Sequence, residues 1–104
     1  MNDALSRLRL DYRSAFIGYL SRRGERQLTT AYEIGRRAIA ARVGLLDVVQ
    51  IHNAVTLDVL RETAGADERV DVAGAAGEFL LEVLASSDMA QRGFLARTEG
   101  PGTA

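Results

Sequence analysis

The 104-residue sequence contains no cysteine, which excludes disulfides, thiolate nucleophiles and zinc sites built on sulfur. It contains one histidine, His52, so metal, phosphoacceptor or general-base chemistry must pass through that residue or do without imidazole. Its one proline, Pro101, falls in the terminal run EGPGTA, which reads as a tail or a cut linker. No stretch approaches the ~18 apolar residues of a membrane span. The opening residues, MNDALSRLRLDYR, alternate charged with apolar positions, where a signal peptide would show a basic head and a continuous apolar run. A cytoplasmic protein without a membrane anchor is expected. Lysine is also missing; all 13 basic residues are arginine, which we read as codon usage in a GC-rich genome.

What is present suits one small domain. Its hydrophobic content of 47% and net charge of -1 are those of a globular chain, and its length allows one core but not a deep cofactor cleft between domains. No cofactor is expected. The charge is unevenly spread: residues 1–42 hold nine arginines and four acids, residues 43–104 four arginines and ten acids, giving +5 and -6. The halves should attract each other, and the near-neutral sum argues against a nucleic-acid binder, which keeps its basic excess uncompensated.

Apolar spacing predicts four helices, with Gly24, Gly44 and Gly65 as the residues that end them. The first runs from about residue 2 or 3 to 22, with Leu5, Leu8, Tyr12, Ala15, Phe16 and Tyr19 on its core face. The second, about 25 to 43, puts Leu28, Ala31, Tyr32, Gly35, Ala38 and Ile39 inward, small enough at Ala31, Gly35 and Ala38 to let a neighbour approach closely. The third, about 46 to 64, turns Val48, Val49, His52, Val55, Thr56, Val59 and Leu60 inward, with Ile51 and Leu57 pointing elsewhere. After the polar stretch GADER, the fourth starts near Asp71 and runs at least to Ser86, with Val72, Ala73, Ala76, Phe79, Leu80, Val83 and Leu84 in its core stripe. No run alternates as a strand would. An all-α, antiparallel four-helix bundle is expected over residues 1–94, with residues 95–104 as a disordered tail or truncated linker.

Two apolar stripes lie off the core faces. Leu10 and Ile17 share a second face of the first helix and are read as a homodimer interface. Leu81, Ala85 and Met89 follow one another at i, i+4, i+8 on the fourth; an exposed apolar strip of this kind marks an interface, and methionine adapts to one. Glu25 and Thr29, one turn apart and off the core centre, would form a polar rim if the second and fourth helices are neighbours. The remaining candidates read as structure. His52 lies mid-stripe among valines and should be buried against a tyrosine hydroxyl or a carboxylate. Glu78 and Glu82, without matching histidines, are a solvated face, and no metal site is expected. Arg22, Arg23, Arg26, Arg36, Arg37 and Arg42 offer a phosphate patch as one reading, but pairing with the acidic half is the simpler one. Tyr12, Tyr19 and Tyr32 fall on core stripes as packing residues with a polar handle. No serine beside a base and no glycine-rich loop after a strand supports catalysis, so no catalytic residue is assigned.

Segments LDYRSAFIGYL (10–20), LTTAYEIGRRAI (28–39), GLLDVVQIHNAV (44–55) and EFLLEVLASSDMAQRGF (78–94) together resemble, in order and spacing, the amino-terminal domain of the RsbU-type stress-response serine phosphatases. The resemblance implies a dimeric, non-catalytic four-helix docking domain. It would bind a switch kinase of the RsbT type, released by stress in a partner-switching sigma-factor pathway, and so regulate an attached or partner phosphatase domain. Glu25, Thr29, Leu81, Ala85 and Met89 are the expected partner-binding residues. A stand-alone assembly dimer with no kinase partner is the alternative, with neither nucleic acid nor membrane as a partner in either case.

Overall fold

Four helices account for nearly all of residues 3–99, the part of the chain that the computed structural model describes: α1 (Asp3–Arg22), α2 (Glu25–Ala40), α3 (Leu45–Arg61) and α4 (Ala66–Glu99). Among the described residues there is no strand and no helix long and apolar enough to cross a membrane. The backbone of α4 stays helical through residues 95–99, the first half of the expected tail; residues 100–104 lie outside the described residues.

The core is aromatic at its centre. Tyr12 and Phe16 of α1 are fully buried against Phe79 of α4, with ring centroids 5.2 and 5.4 Å apart and planes steeply inclined, the edge-to-face geometry that ring quadrupoles favour. Leu8, Tyr19, Val48, Val55, Val72, Ala76 and Val83 close around them. α2 and α4 form the most extensive helix pair, and the reason is Gly35: a Cβ there would strike the carbonyl oxygen of Val83 and the hydroxyl of Ser86. Only a glycine lets the two backbones approach this closely.

That close approach corrects the predicted face of α2. With Gly35 pressed on α4, the arc turned into the core is Ala31, Ile34 and Ala38, so Ile34 is fully buried while Ile39 is left 42% exposed at the edge. On α3, Ile51 does not point elsewhere but is fully buried, because this helix packs on both α1 and α4 and needs a wider apolar arc. Ala73 of α4 is exposed, and Ala75 takes its place in the core. The stretch GADER belongs largely to α4, whose first turn carries Asp67 and Glu68 where the positive end of the helix dipole stabilises acids.

The helix ends also differ from expectation. Gly24 and Gly44 have ordinary negative φ and act as N-caps of α2 and α3. The left-handed residues are Arg23 (φ 53) and Arg42 (φ 59). Connections this short need the glycine for the next helix, and capping hydrogen bonds offset the ~1–2 kcal/mol cost of a left-handed arginine. The Arg23 amide donates to the Tyr19 carbonyl at 2.8 Å, and the Arg42 and Val43 amides donate to Ile39 and Ala38 at 3.0 and 2.9 Å.

Candidate docking surface

His52 is a core residue. It is 6% exposed, its Nδ1 and the Tyr12 hydroxyl share a hydrogen bond of 2.7 Å, and Phe16 lies edge-on to its ring. Burial pushes the His52 pKa below its usual 6.5 and the Tyr12 pKa far above its usual 10.0, so both groups are neutral at pH 7. Enclosed in this way, with Nδ1 bonded to Tyr12, His52 sits in the core as a packing residue. Nor do three histidine, aspartate or glutamate side chains gather as a metal site among the described residues.

Glu78 accepts a hydrogen bond from the Tyr19 hydroxyl at 2.6 Å, which together with burial raises the Tyr19 pKa. The pair ties α1 to α4. Two arginine pairs join the basic and acidic halves: Arg23 to Asp71 at 2.6 Å, with its guanidinium also over the Tyr19 ring, and Arg13 to Asp58 at 3.5 Å. The strongest remaining cross-helix pair, Arg37 to Asp11 at 3.0 Å, stays within the basic half. Exposed pairs like these contribute under about 1 kcal/mol each, so they steer register more than they hold the fold.

The two off-core stripes lie on different helices, α1 and α4, and both reach the surface. Leu10 and Ile17 are 69% and 42% exposed on the side of α1 turned away from Tyr12 and Phe79. Leu81 and Met89 are 71% and 58% exposed, with Ala85 half-buried between them. Successive i+4 positions rotate by about 40° around a helix, so this strip runs obliquely. Leu81 faces outward, about 160° from Phe79, and Met89 has swung into the seam between α4 and α2.

That seam supplies what the sequence left open. Because α2 and α4 are neighbours, Glu25, Leu28 and Thr29 line one shallow depression together with Glu82. A second depression farther along the same seam is lined by Tyr32, Arg36, Ile39, Ala40, Ser86 and Met89. Tyr32 and Ile39, assigned to the core from periodicity, thus stand at its surface edge. Only the rotation imposed by Gly35 reveals this, and periodicity carries no sign of it.

Among the described residues the domain is all-helical, and its longest helix leaves Leu81 and Met89 exposed. The family model for the N-terminal domain of phosphoserine phosphatase RsbU matches residues 10–90, and the chain belongs to that family. The family is that of the regulatory N-terminal domain, not of the phosphatase catalytic domain. No curated protein and no solved structure matches the chain.

Proposed function

We propose that this domain docks a regulatory kinase of the RsbT type on α4 and the start of α2, and thereby regulates a serine phosphatase in a stress-response pathway. The observation that carries the reading is the open strip Leu81–Ala85–Met89, bordered by Glu25 and Thr29 through the shared depression with Glu82. Interfaces draw most of their energy from a few apolar anchors inside a polar rim, and this surface has that composition. Leu10 and Ile17, exposed on α1, form the contact between two copies of the domain, so dimerisation and docking use residues of different helices.

Calorimetric titration of an RsbT-type kinase into wild type and Leu81→Asp tests the docking surface. The substitution costs about 2 kcal/mol, some 30-fold in affinity, while circular dichroism remains helical; equal affinities overturn the reading. Light scattering at tens of micromolar tests the dimer, and a mass of 11.3 kDa, that of one chain, overturns it.

A further inference from the structure

The α2–α4 seam is polarised. At one end Glu25 and Glu82 line a single depression, and neither has an ion-pair partner among the described residues. Arg26, next in sequence, sits about 100° round the helix from Glu25 and does not neutralise it there. At the other end the seam becomes apolar, with Tyr32, Ile39 and Met89 around Arg36. Among the described residues Arg36 pairs only with Glu33 of its own helix, at 3.5 Å and with both side chains exposed, so the cation that lines this end is an arginine, whereas the other end is lined by two glutamates. From Glu25 to Arg36 the seam covers twelve residues of α2, whose eleven steps span about 16 Å at ~1.5 Å per residue, or about three helical turns.

Both walls of the seam are helices whose backbone groups are satisfied internally, so an occupant gains nothing by adding a strand. It must be recognised through side chains, as an amphipathic helix is when it lies in a groove between two others. We propose that the seam seats an amphipathic helix of the docked partner, about three turns long, in one direction: its basic end between Glu25 and Glu82, its apolar face over Tyr32, Ile39 and Met89. Reversed, the same helix would set its basic residues against Arg36 and leave the two glutamates uncompensated. The proposal rests on the docking reading above and specifies the chemistry and orientation of what docks.

The test uses the kinase as probe, titrated at 50 and 200 mM salt into wild type, Leu81→Asp, Ile39→Asp and the double variant Glu25→Arg/Glu82→Arg, each checked for helicity. The double reversal should weaken binding at least about tenfold at low salt and flatten its salt dependence, because rim charges act through long-range complementarity. The neutral pair Glu25→Gln/Glu82→Gln should lie between wild type and the reversal, and it decides the matter if the arginine variant does not fold. Ile39→Asp should lose binding as Leu81→Asp does. If Leu81→Asp loses binding while the glutamate variants and Ile39→Asp stay within twofold of wild type, docking stands and the oriented helix is overturned. If Leu81→Asp binds as wild type does, the docking reading fails and this inference fails with it.

Discussion

The two faces of α4 follow different rules. The inner face, Val72, Ala75, Ala76, Phe79, Val83 and Ser86, is buried throughout, and its fit to Gly35 leaves no room for a methyl group. The outer face carries Val70, Ala73, Gly74, Gly77 and Leu81, all exposed, and a Cβ added at Gly74 or Gly77 would meet nothing within 4 Å. Two glycines in an exposed helix interior cost about 1 kcal/mol each relative to alanine, with no packing among the described residues to offset them. The inner face is thus constrained by the fold, whereas nothing within the domain constrains the outer one.

Substitutions on the two faces should separate accordingly. The largest effect belongs to Gly35→Ala. The added methyl collides with backbone at Val83, so the helices must part, and denaturant unfolding should show a loss of about 3 kcal/mol despite alanine's better helix propensity. A neutral result would mean that the close α2–α4 approach is not what holds the inner face.

His52→Ala on the same core should cost about 2 kcal/mol through the cavity and the stranded Tyr12 hydroxyl. It also carries a pH signature. Because the folded pKa of His52 lies below the usual 6.5, the unfolded chain takes up its proton first. The stability that neutral His52 contributes is therefore complete above pH 6.5 and is lost as the pH falls through 6.5 toward the folded value. Melts of wild type and variant at pH 7.5 and 5.5 should converge on acidification; a constant gap would mean that the imidazole is not held neutral.

Thr56 provides a smaller test of the inner side, since its buried hydroxyl lacks a hydrogen-bond partner among the described residues. Thr56→Val should gain up to about 1 kcal/mol. On the outer face Gly77→Ala should gain about 0.5–1 kcal/mol, as should Gly74→Ala, and thermal melts of the two will show whether that face is as open as its geometry. Smallest of all, Leu81→Asp should shift stability by no more than about 0.5 kcal/mol while removing docking; an unfolded variant would place Leu81 in the core instead.

The same division governs what could be read from the sequence. Four helices, the core positions of Tyr12, Phe16 and Phe79 and a buried His52 bonded to a tyrosine hydroxyl or a carboxylate were legible, because each depends on local periodicity or on the need to satisfy one buried imidazole; the structure selects Tyr12. Ile39, Ile51 and Ala73 were misplaced, and Ile34 was left out of the core, because burial depends on how far a helix is rotated against its neighbours, which for α2 is set by the contact of Gly35 with α4. The polar GADER stretch resembled a loop because acids that stabilise the first turn of a helix also suit a turn. On the proposed docking surface, the exposure of Leu81 and Met89 followed from spacing, but the approach of Met89 to α2 and the position of half-buried Tyr32 and exposed Ile39 at the seam required the packed helices.

The connections between helices, residues 23–24, 41–44 and 62–65, also bear on time. Each joins consecutive helices across two to four residues, and loops this short close in well under a microsecond, so neighbouring helices find each other quickly. The contacts that join distant parts of the chain, Tyr19 to Glu78 and Tyr12 to His52, bridge separations of 59 and 40 residues and form against a larger entropy of closure. Neither of these contacts, nor the exposed pairs Arg13–Asp58 and Arg23–Asp71 at separations of 45 and 48 residues, involves Val70, Ala73, Gly74, Gly77 or Leu81. The outer face of α4 takes no part in that slow step, so its residues can change without altering how fast the domain assembles.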